Sequence, residues 1–159
     1  MNITIVCVGK IKESFYRDAL AEYAKRLSKY CKFRIEEVAD EECKENASAA
    51  EEEAVKAKEG ERILKKIPQS AYVYALAIQG KKLDSVGFSE ELSKLFVGGK
   101  SEICFIIGGS IGLSDEVMKR ADYKLSFSDM TFPHQLMRVI LSEQIYRAFR
   151  IMNHEPYHK

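Results

Sequence analysis

With 159 residues, 46% of them hydrophobic, the chain can build one cored domain and is too short for two of ordinary size. Its 25 Lys/Arg against 24 Asp/Glu leave a net charge of +1, which argues neither for nor against a polyanion partner, so the distribution matters more than the sum. The first apolar run, Ile3 to Val8, falls far short of the ~20 residues of a membrane span, and the four cysteines show no CxxC pairing; a cytosolic protein without disulfide framework, zinc knuckle or other metal is expected.

Asn2 to Val8 reads as a strand, rich in β-branched residues and stopped by Gly9-Lys10. A helix follows from about Glu13 to Tyr30, because Tyr16, Leu20, Tyr23, Leu27 and Tyr30 recur every three or four residues. Phe33, Ile35 and Val38 suggest a second strand, and Asp40 to Asn46 an acidic connection. Ser48 and Glu51 have capping-box spacing and open a charged helix to about Lys66, few of whose residues can be buried. After Pro68-Gln69, Ala71 to Ile78 is an apolar run suited to a buried strand ended by Gln79-Gly80-Lys81, and Ser89 is expected to cap a short helix carrying Leu92, Leu95 and Phe96. Ile103 to Ile107 forms a fourth strand running into Gly108-Gly109-Ser110-Ile111-Gly112, and Ser114 caps a brief helix. Tyr123 to Phe127 is a fifth strand, followed by the loop Ser128 to Phe132. Pro133 fits the first turn of a last helix, whose apolar face runs from Leu136 and Met137 to Ala148 and Phe149. Alternation of strand and helix argues for an α/β fold with a mostly parallel sheet in a single domain, 1–159. The wide stripe on the last helix suggests either a homodimer or a helix packed on two sides.

In open parallel sheets ligands sit outside the carboxyl ends of the strands. Three segments qualify: Leu76 to Gly80, Gly108 to Gly112 and Ser126 to Phe132. Glycine after a buried strand lets backbone groups approach a ligand, although an ordinary strand-to-helix turn reads the same way. GGSIG with Asp129 further on imitates part of a dinucleotide fingerprint, but one strand and one helix are too little chain to complete the βαβαβ unit. His154 and His158 have the spacing of a zinc pair, yet Pro156 and Tyr157 interrupt any helix aligning them, and Cys104 lies in an apolar strand.

At these residues a resemblance emerges. Phe105 to Leu113 (FIIGGSIGL), Leu125 to Gln135 (LSFSDMTFPHQ) and the ending Glu143 to Phe149 with Tyr157-His158-Lys159 resemble the ribosomal RNA large-subunit methyltransferase H family of the SPOUT class. Ile5 to Lys12, Glu59-Gly60 and Gln79-Gly80-Lys81 extend the likeness over the whole chain, and the joint order of the motifs is highly specific. The resemblance implies a compact SPOUT-type α/β fold, with a mostly parallel five- or six-stranded sheet, helices on both faces and a C-terminal trefoil knot, acting as a homodimer. It also implies methyl transfer from S-adenosylmethionine to N3 of a pseudouridine in 23S ribosomal RNA, within an assembled ribosome. Matched by position, the cofactor contacts are Leu76, Gly108 and Gly109, with Phe127, Ser128, Asp129, Met130, Thr131 and Phe132. Ile111 stands where a smaller or polar residue is expected.

The residue types suit that chemistry. A sulfonium donor needs an apolar cup, backbone partners for adenine and an aligned methyl rather than a metal. Leu76, Ile107, Leu125, Met130 and Phe132 can form the cup. An imide N3 must lose its proton before attack, and His158 is the candidate base, with Tyr157 or a backbone-assisted water as alternatives and mere ordering of the RNA by the tail as another. Arg138, Arg147, Arg150 and Lys159 are candidate phosphate contacts and His134, with Tyr157, a stacking platform, though each arginine taken alone reads first as a partner in an intradimer salt bridge. A competing class is a non-catalytic RNA-binding or ribosome-associated dimer of the same fold, which predicts no cofactor binding and no need for Gly108.

Overall fold

The computed structural model describes residues 1–159 as five strands alternating with five helices. They are β1 (Asn2–Val8), α1 (Ser14–Leu27), β2 (Lys32–Val38), α2 (Ala49–Lys66), β3 (Tyr72–Lys82), α3 (Ser85–Val97), β4 (Glu102–Ile107), α4 (Asp115–Arg120), β5 (Tyr123–Ser126) and α5 (His134–Met152). All strands are parallel, in the order β2-β1-β4-β3-β5. Because side chains alternate across a strand, Ile3, Ile5 and Cys7 of β1 join Tyr74, Ile103, Phe105 and Ile107 on one face. Val6 and Val8 join Val73, Cys104 and Ile106 on the other. Central strands covered on both faces read as continuous apolar runs, which is how β1 and β4 look in the sequence.

Helices α1, α3 and α5 pack on the first face and α2 with α4 on the second. The connections β1→β2 and β3→β4 step one way over α1 and α3, while β2→β3 and β4→β5 step the other way over α2 and α4. All four crossovers therefore share a hand, as twisted parallel sheets require. At the carboxyl ends of adjacent β1 and β4 the chain leaves toward opposite faces, which opens a crevice between their loops.

Two local expectations change. Helix α3 starts a turn before Ser89: Asp84 caps it, its Oδ1 accepting from the Gly87 N–H at 2.7 Å, while Ser89 is buried and its hydroxyl donates to the Ala148 carbonyl at 3.0 Å. A serine can satisfy its hydroxyl across a helix interface as well as at a cap, and here it joins α3 to α5. Strand β3 continues past Ile78 to Lys82 by shifting register against β5, so that both Leu76 and Lys81 pair with Leu125. The capping box of Ser48 and Glu51 is present, and the charged helix it opens buries Glu59, Gly60 and Ile63. The wide stripe of α5 is used within the protomer: Leu141, Ile145, Ala148 and Phe149 are buried where α5 lies against both α1 and α3. Leu136, Met137, Ile140 and Gln144 of the same stripe are only partly buried.

Candidate functional site

The three loops singled out in the sequence converge at the carboxyl edge of the sheet. Ala75 of β3 pairs with Ile106 of β4, so Leu76 stands level with the point where β4 gives way to Gly108, and its other neighbour is Leu125 of β5. The turn itself is tight. A Cβ on Gly108 would come within 3.0 Å of the Gly112 carbonyl carbon and of Leu113 Cδ2, and the Gly112 N–H closes the turn on Gly109 O at 3.2 Å. The amides of Ser110 and Ile111 donate to no protein group, which leaves backbone donors at the mouth of the crevice. Leu76 is half-buried level with the turn, and Ile107 and Leu125 are buried in the core beside it.

The loop after β5 is organised by its serines. The Ser126 hydroxyl donates to Ser128 O at 3.2 Å, and Ser128 Oγ accepts from the Met130 N–H at 3.0 Å, a local turn that fixes the chain between Phe127 and Thr131. Asp129 reaches Lys82 at 2.5 Å, clipping this loop to the extended end of β3. Phe127 is half-buried over the core, whereas Met130 is 74% exposed. A cavity of about 300 Å³ lies behind Phe127, between the start of α3 and Ile140 and Gln144 of α5. An open groove of about 460 Å³ lies beyond Pro133, lined by Glu13, Phe15, Tyr16, His134 and Gln135. In that groove burial and the nearby Arg138 lower the His134 pKa below its ordinary 6.5, with Asp40 opposing, so the ring is neutral at pH 7 and offers a flat face rather than a charge.

Arg138, expected at RNA phosphates, is placed elsewhere. It is fully buried, with Nη1 2.8 Å from Glu37 and Nη2 donating to the Val8 and Gly9 carbonyls at 2.8 Å each. A guanidinium enclosed this way has no phosphate within reach; it ties α5 to the ends of β1 and β2. Glu37 also accepts from the Ile11 N–H at 3.0 Å, so the same carboxylate holds the loop after β1.

The C-terminal tail forms a second cluster. Glu143 accepts from Arg147 at 2.7 Å and from the Tyr157 hydroxyl at 3.1 Å, the Arg147 guanidinium lies 4.6 Å from the Tyr157 ring centroid, and its Nη1 is 3.3 Å from His158 Nδ1. Arg150 pairs with Glu155 at 3.0 Å and donates to Pro156 O at 3.1 Å, and Lys159 is exposed. Burial and the hydrogen bond to Glu143 raise the Tyr157 pKa, which makes this phenol a donor and not a base near neutral pH. The cluster sits on α5 at the level of Glu143 to Arg147. Leu76 links the ends of β4 and β5, from which the glycine turn and the Phe127–Phe132 loop leave the sheet, and the side-chain contact of His158 is with Arg147.

Glu143 and Glu59 entered the sequence reading only inside the motifs Glu143 to Phe149 and Glu59-Gly60, with no role of their own; Glu143 was otherwise legible as an i,i+4 partner of Arg147, and Glu59 through the odd glycine beside it in a charged helix. Gly60 is there because its backbone presses on Ser114, the cap of α4, where a Cβ would collide. No group of three or more His, Cys, Asp or Glu side chains is arranged to hold a metal ion, and no helix is long and apolar enough to cross a membrane.

Known proteins agree with this geometry. A family model described as "Predicted SPOUT methyltransferase" matches residues 1–158. Proteins named "Ribosomal RNA large subunit methyltransferase H" from Clostridioides difficile (strain 630), Limosilactobacillus reuteri (strain DSM 20016) and Clostridium kluyveri (strain NBRC 12016) are 61%, 59% and 57% identical to it over 159 residues, covering all of both chains. A solved structure, a probable methylase family protein from Haemophilus influenzae Rd KW20, superimposes with a TM-score of 0.51 at 16% identity, over 96% of this chain and 66% of that one, a likeness of fold alone. With the crevice, the glycine turn and full-length matches in agreement, the chain belongs to the SPOUT methyltransferase family.

Proposed function

We propose that the chain transfers a methyl group from S-adenosylmethionine to N3 of a pseudouridine in 23S ribosomal RNA, acting in the cytoplasm as a homodimer on an assembled ribosome. The observation that carries the reading is the full-length identity, 57–61%, to relatives named for methylation of large-subunit ribosomal RNA. The glycine turn supports the choice of cofactor, since the Gly109 amide is unpaired and the half-buried Leu76 stands level with the turn.

The bound cofactor supplies an electrophilic methyl on a sulfonium. Leu76 and the Gly108–Gly109 backbone hold its body, and Phe127 to Phe132 close over it, with Ser128 shaping the loop and Met130 and Phe132 completing the cup. His134 stacks on RNA beside the pocket, while Arg147, Arg150 and Lys159 meet phosphates. His158 takes the N3 proton as general base. The homodimer brings the tail of one protomer to the cofactor turn of the other. The trefoil knot belongs to the same proposal: after edge strand β5 the chain returns across the sheet as α5, between α1 and α3, a path compatible with threading.

The test is transfer of labelled methyl from S-adenosylmethionine to ribosomes purified from cells lacking the protein, followed by mapping of the modified nucleotide. Label at one pseudouridine is expected. Intact protein that binds ribosomes and yields no label would establish the non-catalytic RNA-binding alternative instead.

A further inference from the structure

Glu59 is an acid out of place. It lies on α2, beneath the glycine turn, and is 4% exposed. Its Oε2 accepts from the Glu41 N–H at 3.1 Å, but the enclosed Oε1 has no partner. The group facing it is Gly109: a Cβ there would stand 3.3 and 3.4 Å from the two carboxylate oxygens and 3.3 Å from Val8 Cγ1. The carboxylate therefore fills the space that the missing side chain of Gly109 leaves at the ends of β1 and β4. Contact of Gly60 with Ser114 sets the depth of α2 and hence the height of the carboxylate under the turn. A buried acceptor without a donor is an anomaly that calls for a physical account. The unused donors of the turn are the amides of Gly109, Ser110 and Ile111, the last two lying one and two residues beyond the glycine that faces the carboxylate.

We propose that Glu59 is a positioning residue for the methyl donor: Oε2 anchors the segment after β2 through the Glu41 N–H, and Oε1 receives a backbone N–H of Ser110 or Ile111 as the turn seats on the cofactor. The proposal rests on the reading of Gly108–Gly112 as the cofactor turn. Both oxygens must then accept, which only the ionised carboxylate does. The charged groups around it are Asp40 and Glu41 from the β2–α2 connection and Arg62 from α2 itself, the last engaged with Glu41 and, at 2.9 Å, with the Ala39 carbonyl. Burial raises the Glu59 pKa, the Glu41 N–H and Arg62 oppose this, and Asp40 and the Glu41 carboxylate add to it. Affinity for the cofactor should thus fall, as pH is lowered, at a pH above the ordinary carboxylate range.

Glu59→Gln separates this role from mere packing, because glutamine keeps the shape and the space yet offers one acceptor and one donor to two N–H groups. By calorimetry with S-adenosylhomocysteine, E59Q should bind about tenfold more weakly than the parent, with the acid-side loss of affinity abolished and the ligand-free melting temperature within about 3 °C. Binding within twofold of the parent, or an unchanged pH profile, overturns the proposal. Should E59Q melt much lower, amide hydrogen exchange in the parent decides: added protection of Ser110 or Ile111 by S-adenosylhomocysteine, greater at pH 8 than at pH 5, supports it, and unchanged protection overturns it. A parent that binds no S-adenosylhomocysteine at all would instead overturn the cofactor site on which the proposal depends.

Discussion

Arg138 is the largest side chain fully enclosed by the fold, and its removal should be costly in a way that an RNA-facing arginine could never be. Arg138→Met retains much of the aliphatic volume and deletes three hydrogen bonds, one to Glu37 and two to the Val8 and Gly9 carbonyls. Glu37 is partly exposed at 37% and can rehydrate, so the loss concentrates on the two buried carbonyls. Each bond from a charged donor contributes roughly 1.5–3 kcal/mol, and relief from burying the guanidinium offsets part of that, leaving about 3–5 kcal/mol by analogy with broken buried pairs. For a domain of this size each kcal/mol moves the melting temperature by about 2–4 °C, so a drop on the order of 10 °C is expected. Circular dichroism at matched protomer concentration reads it directly. Arg147→Met is the control: its pair with Glu143 spans i,i+4 and is partly hydrated, with a stability effect below about 1 kcal/mol. An Arg138→Met protein melting within 2 °C of the parent would refute the structural assignment and return Arg138 to the RNA-facing group.

Gly108→Ala places a methyl 3.0 Å from the backbone of Gly112, which cannot swing aside, so the turn must open; about 1–3 kcal/mol of overpacking and at least tenfold weaker S-adenosylhomocysteine binding are expected by calorimetry. Unaltered affinity would move the cofactor away from this turn. Burial pushes the thiols of Cys7 and Cys104 up to about 12 and that of Cys31 to about 11, so native protein treated with iodoacetamide at pH 8 should be labelled at Cys43 first by mass spectrometry. Early labelling of Cys104 would contradict its place in β4. His134 should titrate by NMR below 6.5; with the folded value depressed, its contribution to stability is present above the unfolded value and lost as pH falls through the folded one, a loss that His134→Gln should not show. A midpoint at or above 6.5 would show the ring to be solvated. Mixing Gly108→Val protomers with His158→Ala protomers should restore roughly a quarter of the parental sites if the tail acts across the dimer, since half the dimers are mixed and each mixed dimer has one intact pair; no recovery would place tail and turn in the same chain.

How legible all this was depended on the range of the interaction. Strand and helix positions were readable because burial on both faces writes itself as apolar runs in β1 and β4, and one-sided burial as the three-and-four spacing of α1. The glycine turn was readable because tight backbone needs a residue without Cβ. What could not be read was the use of a polar side chain across the fold. Arg138 looks in sequence like any helical arginine, and its destination depends on Glu37 and Val8, more than a hundred residues away. Ser89 had the position of a cap, but its acceptor, Ala148, is in another helix. Similarly, a stripe as wide as that of α5 could fit a partner subunit or helical neighbours, and only the fold shows that Leu141, Ile145, Ala148 and Phe149 of it are buried where α5 meets α1 and α3.

The same long-range polar contacts tie the candidate site to the fold. The glycine turn is supported from the side of α2 and α4, where Glu59 faces Gly109 and Gly60 abuts Ser114. The loop after β5 continues directly into α5, on the opposite side of the sheet, and is clipped to β3 through Asp129 and Lys82. A ligand bridging turn and loop would therefore link two layers that the sheet otherwise keeps apart. Arg138 already makes one such link between α5 and the ends of β1 and β2, through hydrogen bonds that need no ligand. Small displacements of α5 should then be felt at the end of β1, beside Val8, the residue that packs with Glu59 around Gly109. This contiguity gives the first turn of α5, from His134 to Arg138, a physical route to the glycine turn through Val8.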